Sequence, residues 1–463
     1  MEADKEILDS ILEAVGNTPL VRLNRIPSRD GAQILAKLEF MNPGMSVKDR
    51  MALYIIEDAE RRGLLKPGAT IVENTSGNTG VGVALCAAVK GYRAVFTMPD
   101  KMSAEKVRRL RAFGAEVVVT PTNVPADHPD SYYETAKRIA GETPGAFMLN
   151  QYHNKLNIQA HYASTGAEIW RQTGGRIDAF LAGMGTGGTM SGTARFLKER
   201  RSAIRTIGVD PMGSVYFEQF HTGVPGQPHQ YKVEGIGEDM VCDALEFEHI
   251  DDVYQVTDRE CFAMARRLTR EEGIFAGGSS GGAVHVAVAV AREMRPEQVV
   301  VVLLPDSGAM YLSKFFDDEW MEANGFFGPG PQPRVFDLIR CRPHRRVFVG
   351  RDATLGAVLS AMAASGLDRI VVADEQARPV GVIEERDLLR AVADHGMTKD
   401  APASGFVREL VETLDWEASI EDTVEALKQH EVLFVLKDGR VLDAVTASDL
   451  ARHIWEEKGG RDS

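Results

Sequence analysis

Cysteine is scarce in this chain, at four of 463 residues. The four are scattered, with no Cys-x-x-Cys pair and no histidine at zinc-site spacing, and they are Cys86, Cys242, Cys261 and Cys341. A disulfide framework and a zinc module are therefore excluded as the basis of the fold. Free thiols suit a reducing compartment, so we expect the protein in the cytoplasm. Cys86 stands in an apolar run and is expected in a core.

The sequence also lacks an apolar run long enough to cross a bilayer, and its start, Met1–Glu6, has no apolar segment of a secretory signal. Positive charge is in deficit as well. The 53 Lys and Arg residues face 67 Asp and Glu residues, which gives a net charge of −14. Because such a field repels phosphate backbones and anionic lipid, nucleic acid and membrane surfaces are poor partners.

In the first part of the chain, predicted strands alternate with predicted helices. Apolar, β-rich runs alternate with helical patterns in the succession 70–72, 81–90, 94–98, 103–113 and 116–119. This rhythm predicts β-α-β units and a largely parallel sheet, so the expected fold class is α/β. In such folds ligands bind where Gly-rich turns follow the strand ends.

The alternation breaks at residues 325–334, where dense proline and glycine remove backbone donors and helical continuity. The length alone predicts two or three domains. We expect a first domain at 1–325, a linker at 326–335, and two smaller domains at 336–394 and 403–457.

The two smaller domains are predicted from an internal repeat, in which Asp352–Met362 aligns with Glu417–Leu427. Each copy continues into an apolar strand, a short turn and a second strand, and then into an aspartate that opens a helix. Asp387 has this position in the first copy and Asp449 in the second. Because neither β-β-α unit is large enough to bury a core alone, we expect the two to pack as a pseudo-symmetric pair.

A lysine stands at the start of the first predicted helix. The loop from Asn42 leads through Ser46, a plausible N-cap, to Lys48 in the first turn of an amphipathic stretch. The helix macrodipole disfavours a cation there and favours the neutral amine that forms a Schiff base. An ordinary surface lysine is the alternative.

The run Thr75–Gly80, Thr-Ser-Gly-Asn-Thr-Gly, lies between a predicted strand and a predicted helix. Its two glycines let the backbone approach a ligand closely. Free helix N–H groups and three hydroxyls then make an anion cradle that suits a carboxylate.

A second Gly-rich run, Gly183–Thr189, follows the strand 179–182 and is expected to cradle a phosphate by the same reasoning. Its Gly-x-Gly-x-x-Gly spacing also matches the dinucleotide-binding fingerprint, with Asp210 where a ribose-binding carboxylate belongs. From this loop alone, an NAD-dependent oxidoreductase is a competing hypothesis. That hypothesis explains neither the lysine loop nor the other Gly-rich turns.

The last Gly-rich run is Gly277–Gly282, which precedes an apolar helix. Its central Ser279 is either an N-cap within a simple turn or a hydroxyl partner for a pyridine nitrogen.

Taken together, these loops resemble those of the fold-type II pyridoxal-phosphate family that contains cystathionine β-synthase and O-acetylserine sulfhydrylase. The resemblance covers residues 8 to about 325 and rests on Asn-Thr-Pro-Leu-Val-Arg-Leu, Ser-Val-Lys-Asp-Arg and Thr-Ser-Gly-Asn-Thr-Gly in register. It implies a two-lobed fold with mostly parallel sheets flanked by helices. The pyridoxal 5′-phosphate of this family would be held by Lys48 as a Schiff base, by Asn78 at its 3′-oxygen, by Ser279 at its ring nitrogen, and at its phosphate by Gly185, Thr186, Gly187, Gly188 and Thr189. The substrate carboxylate would be held by Thr75, Ser76, Thr79 and Gln151.

The same resemblance implies a β-replacement reaction in which Lys48 acts as general base on the α-proton. A neutral Ser279 leaves the pyridine a weaker electron sink than an aspartate does, which favours loss of the β-substituent over transamination. We expect the family's reaction of L-serine with L-homocysteine to L-cystathionine and water. Cysteine synthesis from O-acetylserine and sulfide is the alternative.

The loop Glu234–Asp239 supports the first pair, because it resembles the loop of cystathionine β-synthases where sulfhydrylases have small uncharged residues. Glu238 or Asp239 would receive the amino group of homocysteine, although a solvated acidic turn accounts for both equally well. The resemblance starts almost at residue 8 and leaves no room for the haem-binding extension of the vertebrate enzymes, so no haem is expected. A homodimer or homotetramer is the family's expectation.

The C-terminal repeat resembles a pair of CBS modules, which commonly bind adenosyl ligands. Thr446 and Asp449 keep the ligand-binding pattern in the second copy, whereas the first copy keeps Asp387 but has Glu384 in place of threonine. A carboxylate there repels phosphate, so a phosphate-free ligand such as S-adenosylmethionine fits better than AMP or ATP. Two alternatives stay open, namely a packing module without ligand and an inactive adenosyl-ligand sensor built on an enzyme fold.

Overall fold

The computed structural model describes residues 7–75, 77–125, 127–328, 330, 332–340, 342–393, 396–410 and 412–459. Ser76 and Cys341 lie outside the described residues. The chain forms two compact units. The first comprises Met1–Met212, Gln230–Asp251 and Thr257–Gly325, and the second comprises Gly213–His229, Asp252–Val256 and Phe326–Ser463. The second unit thus contains two short segments from the predicted first domain, and the domain boundaries given above stay a prediction.

Parallel strands form the larger sheet of the first unit, with one antiparallel strand at its edge. The strands of this unit follow the spatial order Leu20–Arg22, Gln33–Leu38, Val299–Leu304, Ala179–Gly183 and Arg205–Pro211, and only the first pair is antiparallel. The sequence of Val299–Leu304 is Val-Val-Val-Val-Leu-Leu, nearly all of it buried. A continuous apolar run is what a strand covered on both faces requires, which explains its interior position.

The smaller sheet of the first unit is entirely parallel, as the alternation predicted. Its strands are Glu116–Thr120, Arg93–Pro99, Thr70–Asn74 and Phe147–Met148, in that spatial order. All five residues of Thr70–Asn74 are buried, including the charged Glu73. Cys86 is buried in the core beside this sheet, as predicted.

Helices connect the strands of both sheets. The α-helices of the first unit are Lys48–Arg61, Asn78–Lys90, Ala104–Ala112, Tyr132–Glu142, Leu156–His161, Ala167–Thr173, Gly188–Arg200, Asp258–Arg267, Gly278–Arg292 and Asp318–Ala323. Short 3-10 or π segments add Ile11–Ala14, Glu39–Met41, Tyr162–Gly166, Phe247–His249, Leu268–Glu272 and Gly308–Tyr311. No helix in the described part of the chain has both the length and the apolar character needed to span a membrane.

One detail of the lysine helix differs from the prediction. The N-cap position is Val47, not Ser46, and no side chain caps the helix. The Ser46 hydroxyl still accepts the backbone N–H of Lys48 at 3.3 Å. The prediction missed by one residue because Ser46 already satisfies a terminal donor from outside the helix.

The second unit contains two copies of one small sheet with two helices. The first copy has strands Phe348–Gly350, Arg369–Ala373 and Pro379–Glu384 with helices Leu355–Ser365 and Glu385–Ala393. The second copy has strands Thr413–Asp415, Val432–Lys437 and Arg440–Thr446 with helices Ile420–Leu427 and Ala447–Gly459. The helices Tyr216–Thr222 and Val335–Ile339, the strand Asp252–Val256 and the 3-10 turn Ser404–Phe406 complete the unit.

The two copies share a hydrophobic cluster. It joins Val371 and Val382 of the first copy to Phe434 and Val441 of the second. Residues of both copies build this cluster. The first copy also buries a cluster of its own, with Val358, Met362 and Ile370 among its members, so the expectation that neither repeat buries a core alone is wrong for that copy.

Candidate active site

A cavity of about 700 Å³ lies in the first unit, where the predicted loops meet. Its lining includes eight residues singled out from the sequence, namely Lys48, Thr75, Asn78, Thr79, Gln151, Gly185, Thr186 and Glu238. They come from segments up to 190 residues apart, and Thr75, Gln151 and Gly185 follow strands of two different sheets. In open α/β sheets, ligands bind outside the carboxyl ends of the strands. Asp210, the ribose-binding candidate of the dehydrogenase hypothesis, is fully buried and does not line this cavity.

Lys48 presents its amine to the cavity from the first residue of its helix. Burial lowers the pKa of this amine, and the carboxylates of Glu238 and Asp306 oppose the shift. The neutral form is the nucleophilic form of a lysine, so the surroundings favour condensation with an aldehyde.

Asn78 is held by a carboxylate that the sequence analysis missed. Its side-chain amide donates to Oδ2 of Asp306 at 2.9 Å, and the Tyr311 hydroxyl donates to the same oxygen at 2.6 Å. Burial raises the pKa of Asp306 to about 6 against the effect of these two hydrogen bonds. Asp306 lies two residues after the carboxyl end of the buried strand Val299–Leu304, and this position is a signal that the sequence analysis did not use.

The carboxylate-binding candidates form a compact group. Thr75, Thr79 and Gln151 are all buried, and the Thr79 hydroxyl donates to Oε1 of Gln151 at 2.5 Å. Behind them, the fully buried Glu73 accepts the backbone N–H groups of Asn150 at 2.9 Å and Gln151 at 3.2 Å. Hydroxyl and amide donors of this kind suit a substrate carboxylate.

The phosphate-binding candidates surround the start of the helix Gly188–Arg200. Gly187 has a φ of +92°, and a Cβ there would collide with Leu245, so this position requires glycine. The Thr189 hydroxyl lies 3.2 Å from Nε2 of His161, whose pKa burial lowers well below its usual value. A helix N-terminus with a glycine approach is a site for an anion.

Ser279 lies in the first turn of Gly278–Arg292 and is 1% exposed. Its Oγ has no hydrogen-bond partner among the described residues, and the same holds for Oγ of Ser280. Leaving a buried hydroxyl unsatisfied costs about 1–3 kcal/mol. Ser279 is not among the residues that line the cavity, but a Cβ built on Gly235, which does line it, would lie 4.0 Å from the Ser279 Oγ. An unpartnered buried hydroxyl at this place suits a ligand atom.

The two acidic candidates of the loop at 234–239 differ in position. Glu238 lines the cavity, and burial together with the neighbouring Asp239 raises its pKa to about 7. Asp239 is exposed and is not among the lining residues. Glu234, which carried no separate role in the sequence analysis, forms ion pairs at the cavity with Lys106 at 2.5 Å and with Lys314.

A second cavity, of about 730 Å³, lies in the second unit and is lined by Thr446 and Arg345 among others. The Thr446 hydroxyl donates to Oδ2 of Asp449 at 2.8 Å. Arg345 and Arg342 both pair with that carboxylate, at 2.7 and 2.6 Å. Burial alone raises the pKa of Asp449, but the two guanidinium groups and Thr446 bring it down to about 2.

The equivalent aspartate of the first copy is also engaged. Asp387 is buried and pairs with Arg408, and Glu384, which replaces the expected threonine, pairs with Arg386. Both adenosyl-binding candidates among the aspartates therefore already have arginine partners.

Comparisons with known proteins match two family models to this chain. The family model "Pyridoxal-phosphate dependent enzyme" matches residues 11–306, which is more than half of the chain, and the family model "CBS domain" matches residues 337–394. A cystathionine beta-synthase of Dictyostelium discoideum is 36% identical over 98% of this chain and 94% of its own length. The one from Rattus norvegicus is 50% identical over 69% of this chain, and the chain spans only 57% of that relative's length.

Two further similarities bear on the alternative activity. A cysteine synthase 1 of Neurospora crassa is 41% identical over 70% of this chain and 88% of its own length. The crystal structure of a hydrogen sulfide-producing enzyme from Fusobacterium nucleatum matches with a TM-score of 0.60 and 37% identity, over 65% of this chain and 97% of that one.

Proposed function

Because the chain belongs to the family of pyridoxal-phosphate dependent enzymes, we propose that it catalyses β-replacement on L-serine with L-homocysteine, giving L-cystathionine and water. The observation that carries the proposal is the buried, low-pKa amine of Lys48 in a cavity built from the anion-binding loops. The full-length match to the Dictyostelium relative supports this reaction over others of the family.

The residues present fit the cofactor. The unpartnered Oγ of Ser279 suits a ring nitrogen, the glycines around residue 187 leave room for a phosphate, and Lys48 supplies the amine. When bound, pyridoxal phosphate supplies an aldehyde for the amino group and an electron sink for the negative charge that develops at the α-carbon. Asn78, held by Asp306, would contact its 3′-oxygen.

The chain's own residues account for the remaining work. Thr75, Thr79 and Gln151 bind and orient the substrate carboxylate, together with Ser76, which lies outside the described residues. Lys48 Nζ takes the α-proton as general base and gives a proton to the departing hydroxyl. Glu238 lies in the cavity with a raised pKa, and we assign it to the amino group of the incoming homocysteine.

Cysteine synthesis from O-acetylserine and sulfide is the second candidate, and the match to the Neurospora cysteine synthase favours it. A product assay that offers serine or O-acetylserine with homocysteine or sulfide, in all four pairings, separates the two. Cystathionine from serine and homocysteine is the expected main product. Cysteine from the acetyl ester alone would overturn the substrate pair and leave the cofactor assignment intact.

For the second unit we propose an adenosyl effector without phosphate, such as S-adenosylmethionine, in the cavity lined by Thr446. Its ribose hydroxyls would compete with Arg345 for the carboxylate of Asp449. Ligand at a hundred times its Kd raises the unfolding free energy by about 2.7 kcal/mol, so the melting temperature should rise and saturate. No shift at millimolar ligand, or the same shift in Asp449→Ala, would leave only a packing role.

We further propose that the protein is a cytoplasmic homodimer or homotetramer, as its family resemblance suggests. Light scattering coupled to gel filtration measures the mass directly. A mass of one chain, 50.7 kDa, would contradict the proposal.

A further inference from the structure

The backbone of Gln151 is fixed on both sides of the residue. Its N–H group donates to Glu73, and its carbonyl oxygen accepts from Nδ2 of Asn157 at 3.0 Å. The preceding Asn150 has a φ of +56°, a backbone conformation that is uncommon for residues other than glycine. The Gln151 side chain therefore reaches Thr79 from a backbone that has little freedom of its own.

The amide of Asn157 has a second acceptor in another loop that lines the cavity. Nδ2 also donates to Oγ1 of Thr186 at 2.9 Å, in the loop assigned to the cofactor phosphate. Asn157 is 2% exposed, and a Cβ on Gly188 would collide with its side chain. One buried amide group thus joins the two loops with both of its N–H bonds.

We propose that Asn157 is a positioning residue that couples the substrate-carboxylate subsite to the cofactor-phosphate loop. Asn157 itself is not among the residues that line the cavity. Because a single –NH2 group donates to Gln151 and to Thr186, a shift of either loop strains the hydrogen bond to the other. Affinity for the cofactor and affinity for the amino-acid substrate should therefore change together when this amide is removed. The inference rests on the assignment of the two subsites in the proposed function.

Asn157→Ala tests the coupling. We expect the Kd for pyridoxal phosphate, measured by titration of the cofactor-free protein, and the KM for serine each to rise about fivefold, which is what loss of one buried hydrogen bond of about 1 kcal/mol gives. A purely structural role would lower the melting temperature and leave both constants unchanged in the folded fraction. A rise in only one of the two constants would also overturn the proposal.

Double-mutant cycles test whether Asn157 acts through Thr186 on cofactor binding and through Gln151 on substrate binding. In a Thr186→Val background, Asn157→Ala should lose its effect on the cofactor Kd and keep its effect on KM. In a Gln151→Ala background, Asn157→Ala should lose its effect on the KM and keep its effect on the cofactor Kd. Additive effects in both backgrounds would contradict action through these two residues.

Asn324→Ala is a matched control, because the Asn324 amide also donates to a backbone carbonyl at 2.7 Å, but that carbonyl belongs to Trp320, which does not line the cavity. It should leave both constants unchanged. The wild-type protein separates this proposal from the proposed function. If wild type fails to bind pyridoxal phosphate, the cofactor assignment fails. If wild type binds pyridoxal phosphate but turns over only O-acetylserine, the KM for O-acetylserine can replace the KM for serine in this test, because both substrates have the same carboxylate.

Discussion

The side chain of Asn78, the first residue of its helix, donates a hydrogen bond to Asp306, 228 residues further along the chain. Asp306 accepts from Tyr311 through the same oxygen, and its charge opposes the lowered pKa of Lys48. This carboxylate therefore orients Asn78 and acts on the charge of Lys48, the two residues that we propose contact the cofactor.

Replacing Asp306 by leucine should destabilise the protein strongly, because the Asn78 amide and the Tyr311 hydroxyl are then left without their acceptor. Each unsatisfied buried donor costs about 1–3 kcal/mol, so the free energy of unfolding, measured with urea, should fall by about 2–6 kcal/mol. Asp306→Asn keeps an acceptor oxygen and is the control. Asp306→Asn should lower the free energy of unfolding much less than Asp306→Leu does. Equal losses in the two variants would show that the missing hydrogen bonds are not the cause.

Lys48→Ala should abolish covalent attachment of the cofactor. Wild-type protein is expected to be yellow, and borohydride should bleach it and leave the cofactor on the peptide that contains Lys48, as read by mass spectrometry. The variant should show no attachment and a kcat lower by about a thousandfold, within the range for loss of a general base. Lys106→Ala is the comparison, since Lys106 lines the same cavity but pairs with Glu234. Attachment at a residue other than Lys48 would refute the mechanism.

Ser279→Ala should separate cofactor binding from folding. Because the Ser279 hydroxyl has no hydrogen-bond partner among the described residues, its removal should leave the melting temperature of the cofactor-free protein unchanged or slightly higher. With pyridoxal phosphate bound, the variant should gain less stability than wild type. An equal gain in both proteins would remove Ser279 from the cofactor site.

A buried ion-pair network predicts how stability depends on pH. Glu168 pairs with Arg50 at 2.6 Å and with Lys37 at 2.8 Å. Burial alone raises the pKa of Glu168, but Arg50 and Lys37 bring it down to about 2. Since this is below the unfolded value of about 4.3, the stabilisation of about 3 kcal/mol is complete above that pH and is lost as the pH falls towards 2.

The comparison with Glu168→Gln isolates this contribution. The difference in unfolding free energy between wild type and variant should be constant from pH 7 to about 5 and should shrink below about 4.3. A difference that stays constant down to pH 2.5 would show that Glu168 keeps an ordinary pKa. The raised pKa of Glu73, about 7 through burial, acts on both proteins and cancels in the difference.

The sequence was enough to predict the α/β class and eight of the residues that line the cavity, because most of these eight lie in contiguous loops with diagnostic glycines. Asp306, Glu73 and Asn157 were missed. Each has its role only through a partner at least six residues away, and up to 228, and nothing in its own segment names that partner. Glu73 could have been noticed in the sequence, because a carboxylate that follows the apolar pair Ile71 and Val72 in a buried strand requires hydrogen-bond donors within the core.

The acidic pair was the least predictable part of the site. Glu238 and Asp239 are adjacent and chemically alike, yet only Glu238 lines the cavity. The glycines on either side of Ile236 both have positive φ, at +85° for Gly235 and +76° for Gly237, and the backbone path they permit decides which carboxylate turns inward. Sequence spacing alone does not specify that path.

The position of Val299–Leu304 between Gln33–Leu38 and Ala179–Gly183 has a consequence for biosynthesis. The ribosome must make some three hundred residues before the larger sheet receives its interior strand, and Asp306 emerges only after that. Until then the strand Gln33–Leu38 exposes one hydrogen-bonding edge, and Asn78 has no carboxylate to orient it. A nascent chain shorter than this should therefore be unable to capture the cofactor.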